Sequence, residues 1–231
     1  LLNKDRTKGG LEAIERFQAE CLVLDDGFQH LRLARDLNIV IIDALNPFGH
    51  EQIIPRGMLR EPLEGLKRAD MIMLSHVDQC SRDKVVVITN RLREITGDVP
   101  VVETVHKPIC LESAKDAEKL DIHCLRGKRV FVFCAIGNPV SFRKSIENLG
   151  ARIAGFRVFP DHHVYTLSEL QEMNAAAQGM KPDAIVITQK DRVKIGSDLS
   201  IWDFPVWALK IEICVVSGYE IFENKINAIL N

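Results

Sequence analysis

Short apolar runs that break off into polar, glycine- or proline-bearing loops recur along this chain, with helix-spaced segments between them. CLVLDD (21–26), NIVIID (38–43), MIMLSHVD (71–78), VPVVETV (99–105), RVFVFCAI (129–136), ARIAGFRVF (151–159), AIVITQKD (184–191) and FPVWALKIEI (204–213) read as strands. Runs this short and this continuously apolar suit strands buried on both faces of a parallel sheet. LEAIERFQ (11–18), residues 84–96, NPVSFRKSIENLG (138–150) and LSELQEMNAAAQ (167–178) read as helices. The alternation predicts an α/β fold with parallel sheets and right-handed crossovers. The pattern weakens over 107–125, where ESAKDAEKLD is polar and charged. That places a boundary near residue 126 and predicts two doubly wound parallel-sheet domains, 1–126 and 127–231.

The 231 residues are 46% hydrophobic with a net charge of -2, which offers no electrostatic case for a nucleic-acid partner. No apolar stretch approaches the roughly 20 residues of a membrane span, and the opening LLNKDRTKGG lacks the apolar core of a signal peptide. The six cysteines form no C-x-x-C pair, which argues against a zinc ribbon and for a reducing compartment. The chain opens on Leu1, so it is expected to be a processed, trimmed or incomplete product.

Several run ends carry chemistry. Asp25 and Asp26 close CLVLDD, and ligands of doubly wound folds bind beyond the carboxyl ends of strands. An apolar strand ending in Asp is the form of a Walker B element, whose carboxylate holds Mg²⁺. A solvated strand-end turn fits the same pattern. Gly27 is expected to let the backbone turn sharply there, with Gln29 and His30 adding polar contacts. In PRGMLREP (55–62), Arg56 and Arg60 flank Gly57, and Glu61 adjoins Arg60. Arginine forks match phosphate oxygens, although a solvated charge cluster reads identically. Asn138 and Pro139 in AIGNP are suited to cap and open a helix. FPDHHVY (159–165) sets Asp161, His162 and His163 at another run end, as base-orienting groups, metal ligands or a capped turn. Lys190 and Asp191 of TQKD serve the same crevice or an ordinary helix entry.

Taken in order, LDDGFQH, then IVIIDALNPFGHEQIIPRGMLREPLEGLKRAD, then FCAIGNP, FPDHHVYT and ITQKDRVK resemble the tetraacyldisaccharide 4'-kinase family, the lipid A kinases of Gram-negative bacteria. The resemblance runs from about Asp5 to the C-terminus. It implies an incomplete P-loop kinase core followed by a smaller Rossmann-like α/β domain, with nucleotide in the cleft between them. It implies transfer of the γ-phosphate of ATP to the 4'-hydroxyl of a tetraacylated disaccharide 1-phosphate, the lipid A precursor, at the cytoplasmic face of the inner membrane. By this resemblance Asp25 and Asp26 serve Mg²⁺, Gln29 and His30 bind at the nucleotide site, and Asp26, Arg60, Glu61 and His162 are catalytic. His163 is the weaker of the two histidines.

The sequence departs from the family in four ways. No G-x-x-x-x-G-K-[ST] occurs in it, nor the family's membrane-associating N-terminal segment, through which peripheral membrane contact is expected, nor its upstream general-base aspartate. Gln189 stands where the family usually has Glu. The isolated chain is therefore expected to be an inactive fragment of such a kinase. The rival readings are a catalytically dead binding module of the same fold and a metal-dependent phosphoesterase of the DHH type. The second needs further Asp clusters that the sequence lacks. A GTPase-like module would need N-K-x-D, which SHVD and TQKD match poorly.

Overall fold

A computed structural model describes residues 1–116, 118–196 and 200–230. Three of the apolar runs pair in parallel: β1 (Ile39–Asp43), β2 (Met71–Ser75) and the start of β3 (Val101–Ser113). The register sets Asp43 opposite Ser75, so both stand at the carboxyl end of the sheet. α2 (Arg82–Thr96) starts at Ser81, whose side chain accepts from Lys84 N–H, and ends at Gly97, where φ is 72°. Its Val85, Ile88 and Leu92 share one face at helical spacing and bury against Ile42, Ile72 and Leu74. Phe28 and Leu66 pack on the same cluster.

α1 (Arg6–Phe17) is capped by Asp5, which accepts from the N–H groups of Thr7 and Lys8. It buries none of its residues, and Leu11, Ile14 and Phe17 remain exposed. CLVLDD does not form the expected strand. Residues 21–24 are irregular, and Val23 is 94% exposed. An extended segment becomes a strand only when a neighbour takes its backbone hydrogen bonds, and no described strand flanks this one.

β3 runs on to Ser113 and turns back antiparallel into β4 (Lys119–Asp121) through Cys110↔Asp121 and Glu112↔Lys119. The polar stretch after residue 107 therefore holds paired strand, with β4 lying off the main strand order. Beyond it lie β5 (Arg129–Cys134), α3 (Pro139–Asn148), β6 (Arg152–Val158), α4 (Leu167–Met180), β7 (Ala184–Thr188), α5 (Gln189–Lys194) and β8 (Val206–Ser217). Their strand order is β8-β7-β5-β6, all parallel. Alternate residues of β5 face opposite ways: Phe131 and Phe133 meet Leu170, Met173 and Ala177 of α4, and Val130 and Val132 meet Phe142 and Ile146 of α3. A helix on each face is the doubly wound arrangement that the alternation predicts.

The chain closes with α6 (Tyr219–Leu230), a helix that the sequence pattern did not announce. Two compact units result, one of Leu1–Val105 with Cys214–Asn231 and one of His106–Ile213. The limits of the units fall within β3, between Val105 and His106, and within β8, between Ile213 and Cys214.

Candidate functional site

The DDGFQH segment is a loop held in place by Arg35, by its own Phe28 and by the LREP segment. Asp25 and Asp26 occupy a turn, and Asp26, not Gly27, adopts the left-handed conformation, with φ of 52°. Aspartate tolerates that region better than most side chains. Gly27 is buried instead, where an added Cβ would meet the Leu24 side chain at 2.4 Å. The Arg35 guanidinium donates to the carbonyls of Gly27 and His30, at 2.6 and 3.0 Å, and closes the loop. Phe28 anchors it to the core, and the Arg68 guanidinium lies over the Phe28 ring at 4.6 Å.

The LREP segment meets this loop at two points. Arg60 Nη1 donates to both carboxylate oxygens of Asp26, at 2.6 and 2.5 Å. Gln29 Nε2 donates to Glu61 Oε1 at 2.8 Å, and Arg68 donates to the other Glu61 oxygen at 2.7 Å. The hydrogen bond from Arg60, reinforced by its charge, holds the Asp26 carboxyl below the usual carboxylate range, and the same pairing raises Arg60. Both side chains are more than half exposed, so their head groups can reach a ligand. The PRG turn keeps LREP in place. Leu59 N–H donates to the Gln52 carbonyl, and a Cβ on Gly57 would fall 2.2 Å from that oxygen. No larger residue fits there without a backbone shift.

Structure thus brings together Asp26, Gln29, Arg60 and Glu61. Asp25 is exposed in the same turn, and the His30 side chain takes no hydrogen bond among the described residues. No described cluster of three or more His, Cys, Asp or Glu side chains is arranged to hold a metal unaided. Mg²⁺ does not require one, since phosphate oxygens and water complete its shell around one or two carboxylates. An ionised Asp26 beside an exposed Asp25 fits that demand.

His162 and His163 belong to the other unit and differ sharply there. His163 stacks on Phe159 with centroids 4.9 Å apart, and its Nε2 lies 3.0 Å from Glu169 Oε1. Glu169 is the reciprocal partner of Thr166 in the capping box of α4. His163 is therefore a structural residue of the loop. The His162 side chain is 91% exposed on a left-handed residue, φ 62°. The loop is pinned further by Asp191, which is fully buried. Its carboxylate accepts from Ala135 N–H at 3.1 Å, Tyr165 O–H at 3.0 Å and Thr188 O–H at 2.6 Å. Lys194 Nζ donates to the Ala135 carbonyl at 3.1 Å. Burial, with the charge and hydrogen bond of Asp191, pushes the Tyr165 hydroxyl well above its ordinary pKa. Gln189 donates to Glu112 at 3.2 Å.

Sequence reasoning missed Arg35, Arg68 and the Asp43–His76 pair, whose Oδ1 and Nδ1 lie 3.1 Å apart at the ends of β1 and β2. The strand-end signal was present in NIVIID and MIMLSH, but their pairing depends on sheet register. Among the described residues no helix is long and apolar enough to cross a membrane.

The profile of the family described as tetraacyldisaccharide-1-P 4'-kinase matches residues 1–231. The tetraacyldisaccharide 4'-kinase of Anaeromyxobacter sp. (strain K) is 40% identical over 188 residues, covering 81% of this chain and 50% of that protein. The enzyme of the same name from Anaeromyxobacter sp. (strain Fw109-5) is 38% identical over 218 residues, covering 94% and 58%. The chain spans about half the length of the curated relatives it matches. A crystal structure of "apo" form LpxK from Aquifex aeolicus in complex with ATP aligns with a TM-score of 0.68 at 29% identity, over 99% of this chain and 64% of that one. Sequence and fold agree, and the chain belongs to the tetraacyldisaccharide 4'-kinase family.

Proposed function

We propose that this chain serves the transfer of the γ-phosphate of ATP to the 4'-hydroxyl of tetraacyldisaccharide 1-phosphate, giving lipid IVA, at the cytoplasmic face of a bacterial inner membrane. The observation that carries the reading is the tie between Asp26 and Arg60, flanked by Gln29, Glu61 and Arg68. Phosphoryl transfer asks the protein mainly for positioning and charge neutralisation. Asp25 and Asp26 would hold Mg²⁺, which neutralises phosphate charge when bound. Arg60 is suited to a phosphate oxygen, and its bond to Asp26 fixes where its charge sits. Glu61 holds Arg68 and Gln29 in place. His162 is assigned to orient a base or contact phosphate, because its imidazole is exposed while that of His163 is engaged.

These 231 residues contain no G-x-x-x-x-G-K-[ST], so the backbone amides and lysine that cradle β- and γ-phosphates are not among them. On its own the chain is expected to bind nucleotide weakly and to give no measurable turnover. An amide NMR titration with Mg²⁺ and a non-hydrolysable ATP analogue tests the site. The signals of residues 25–29 and 60–61 should shift together at millimolar ligand. Saturable shifts confined to other residues would overturn the assignment.

A further inference from the structure

The amino-terminal edge of the β5–β6 sheet carries a charge arrangement that the phosphoryl-transfer reading does not use. Arg129 and Arg152 are register partners on these adjacent parallel strands. Like charges at opposed positions weaken a sheet. The loops entering the two strands are bound to each other, Gly127 N–H to the Gly150 carbonyl at 2.8 Å and Arg152 N–H to the Lys128 carbonyl at 2.7 Å. That joins Arg126 and Lys128 to the pair, with Arg126 lying directly beside Gly150. All four basic side chains are exposed. Among the described residues Asp183 is the one carboxylate tied to them, accepting from Arg129 N–H at 2.8 Å and lying 4.0 Å from Lys128 Nζ. Arg126 and Arg152 have no carboxylate partner among the described residues. The cluster stands out on a chain whose net charge is -2.

Beside it opens a cavity of about 190 Å³ lined by Leu111, Leu120, Leu125 and Trp207, with Lys128 and Asp183 also on its wall. A basic cluster contiguous with an apolar pocket matches an amphiphile with an anionic head and an apolar chain. Nucleic acid fits less well, since single strands stack on exposed rings and no Phe, Tyr or Trp of this unit is exposed among the described residues. We propose that Arg126, Lys128, Arg129 and Arg152, with the adjoining pocket, form a docking surface for the phosphate head groups of an anionic lipid bilayer, the pocket receiving the start of one acyl chain. Each basic residue near such a surface adds to binding in a salt-dependent way.

Vesicle co-sedimentation of the 231-residue chain tests this, using phosphatidylcholine alone or with about 30 mol% phosphatidylglycerol. The chain should pellet with the anionic vesicles only and be released by salt. The variant R126E/R152E should bind at least tenfold more weakly, with an unchanged melting temperature because both positions are exposed. Retained binding by that variant, or no binding by the parent chain, overturns the proposal. Inorganic phosphate is the control ligand. If it perturbs the amides of 126–129 and 150–152 while vesicles do not bind, the surface takes free anions and the lipid assignment is wrong. Trp207 gives a second readout: on a W202F background its fluorescence should rise with anionic vesicles and stay flat with phosphate.

Discussion

Arg60 Nη1 sits 2.5 Å from one carboxylate oxygen of Asp26 and 2.6 Å from the other, joining two segments 34 residues apart. The pair is exposed, so its contribution to folding is small. Its consequence is electrostatic: Asp26 stays ionised, and Arg60 is aimed. Asp26 has its pKa lowered in the folded chain. The linked stability is therefore present above the unfolded value of about 3.9 and is lost as pH falls through the folded pKa. A carboxyl-carbon NMR titration should place the Asp26 midpoint below the ordinary range. Arg60→Ala should move it upward, and an unchanged midpoint would contradict the pairing.

Asp191 supports the loop that presents His162. Asp191→Ala leaves the buried Ala135 N–H and Tyr165 O–H and the half-buried Thr188 O–H without their acceptor, and urea unfolding should show a loss of about 3–5 kcal/mol. Tyr165→Phe removes one donor and leaves the others satisfied, for a loss of about 1–2 kcal/mol. Equal effects of the two variants would refute Asp191 as the hub.

Cys134 ends β5 inside the core, where burial and the nearby Asp191 charge push its thiol up to about 12. It should resist a thiol reagent near pH 8 until the chain unfolds. Cys21 and Cys124 are exposed and should react at once. Mass spectrometry after brief labelling distinguishes the three.

Gly57→Ala should disturb the LREP loop, because the new methyl would meet the Gln52 carbonyl. Amide exchange at residues 52–61 should accelerate, with a stability loss of about 1–3 kcal/mol. A wild-type exchange pattern would show that the turn relaxes freely.

The runs IVIID, MIMLS, RVFVFC and AIVIT announced their strands because apolar residues without interruption have few other uses at that length. CLVLDD has the same composition and forms no strand, because pairing is a property of neighbours and not of the run. The polar stretch after residue 107 carries charged residues on strands that are nonetheless paired, β3 with β4. DDGFQH and LREP were legible as local motifs, and the bonds of Asp26 to Arg60 and of Gln29 to Glu61 were not, since each joins positions more than 30 residues apart. Two adjacent histidines look alike in sequence. The stack on Phe159 and the bond to Glu169 engage His163 and leave His162 exposed.

The most direct test joins these residues to the half of the Anaeromyxobacter sp. (strain K) enzyme that they do not match, then assays phosphate transfer from labelled ATP to tetraacyldisaccharide 1-phosphate. The chimera should turn over, the 231-residue chain alone should not, and Asp26→Asn in the chimera should lower kcat by about 10²- to 10³-fold with its melting temperature unchanged. An Asp26→Asn chimera as active as its parent at saturating Mg²⁺ would contradict the assignment of the Asp26–Arg60 pair to metal and phosphate binding.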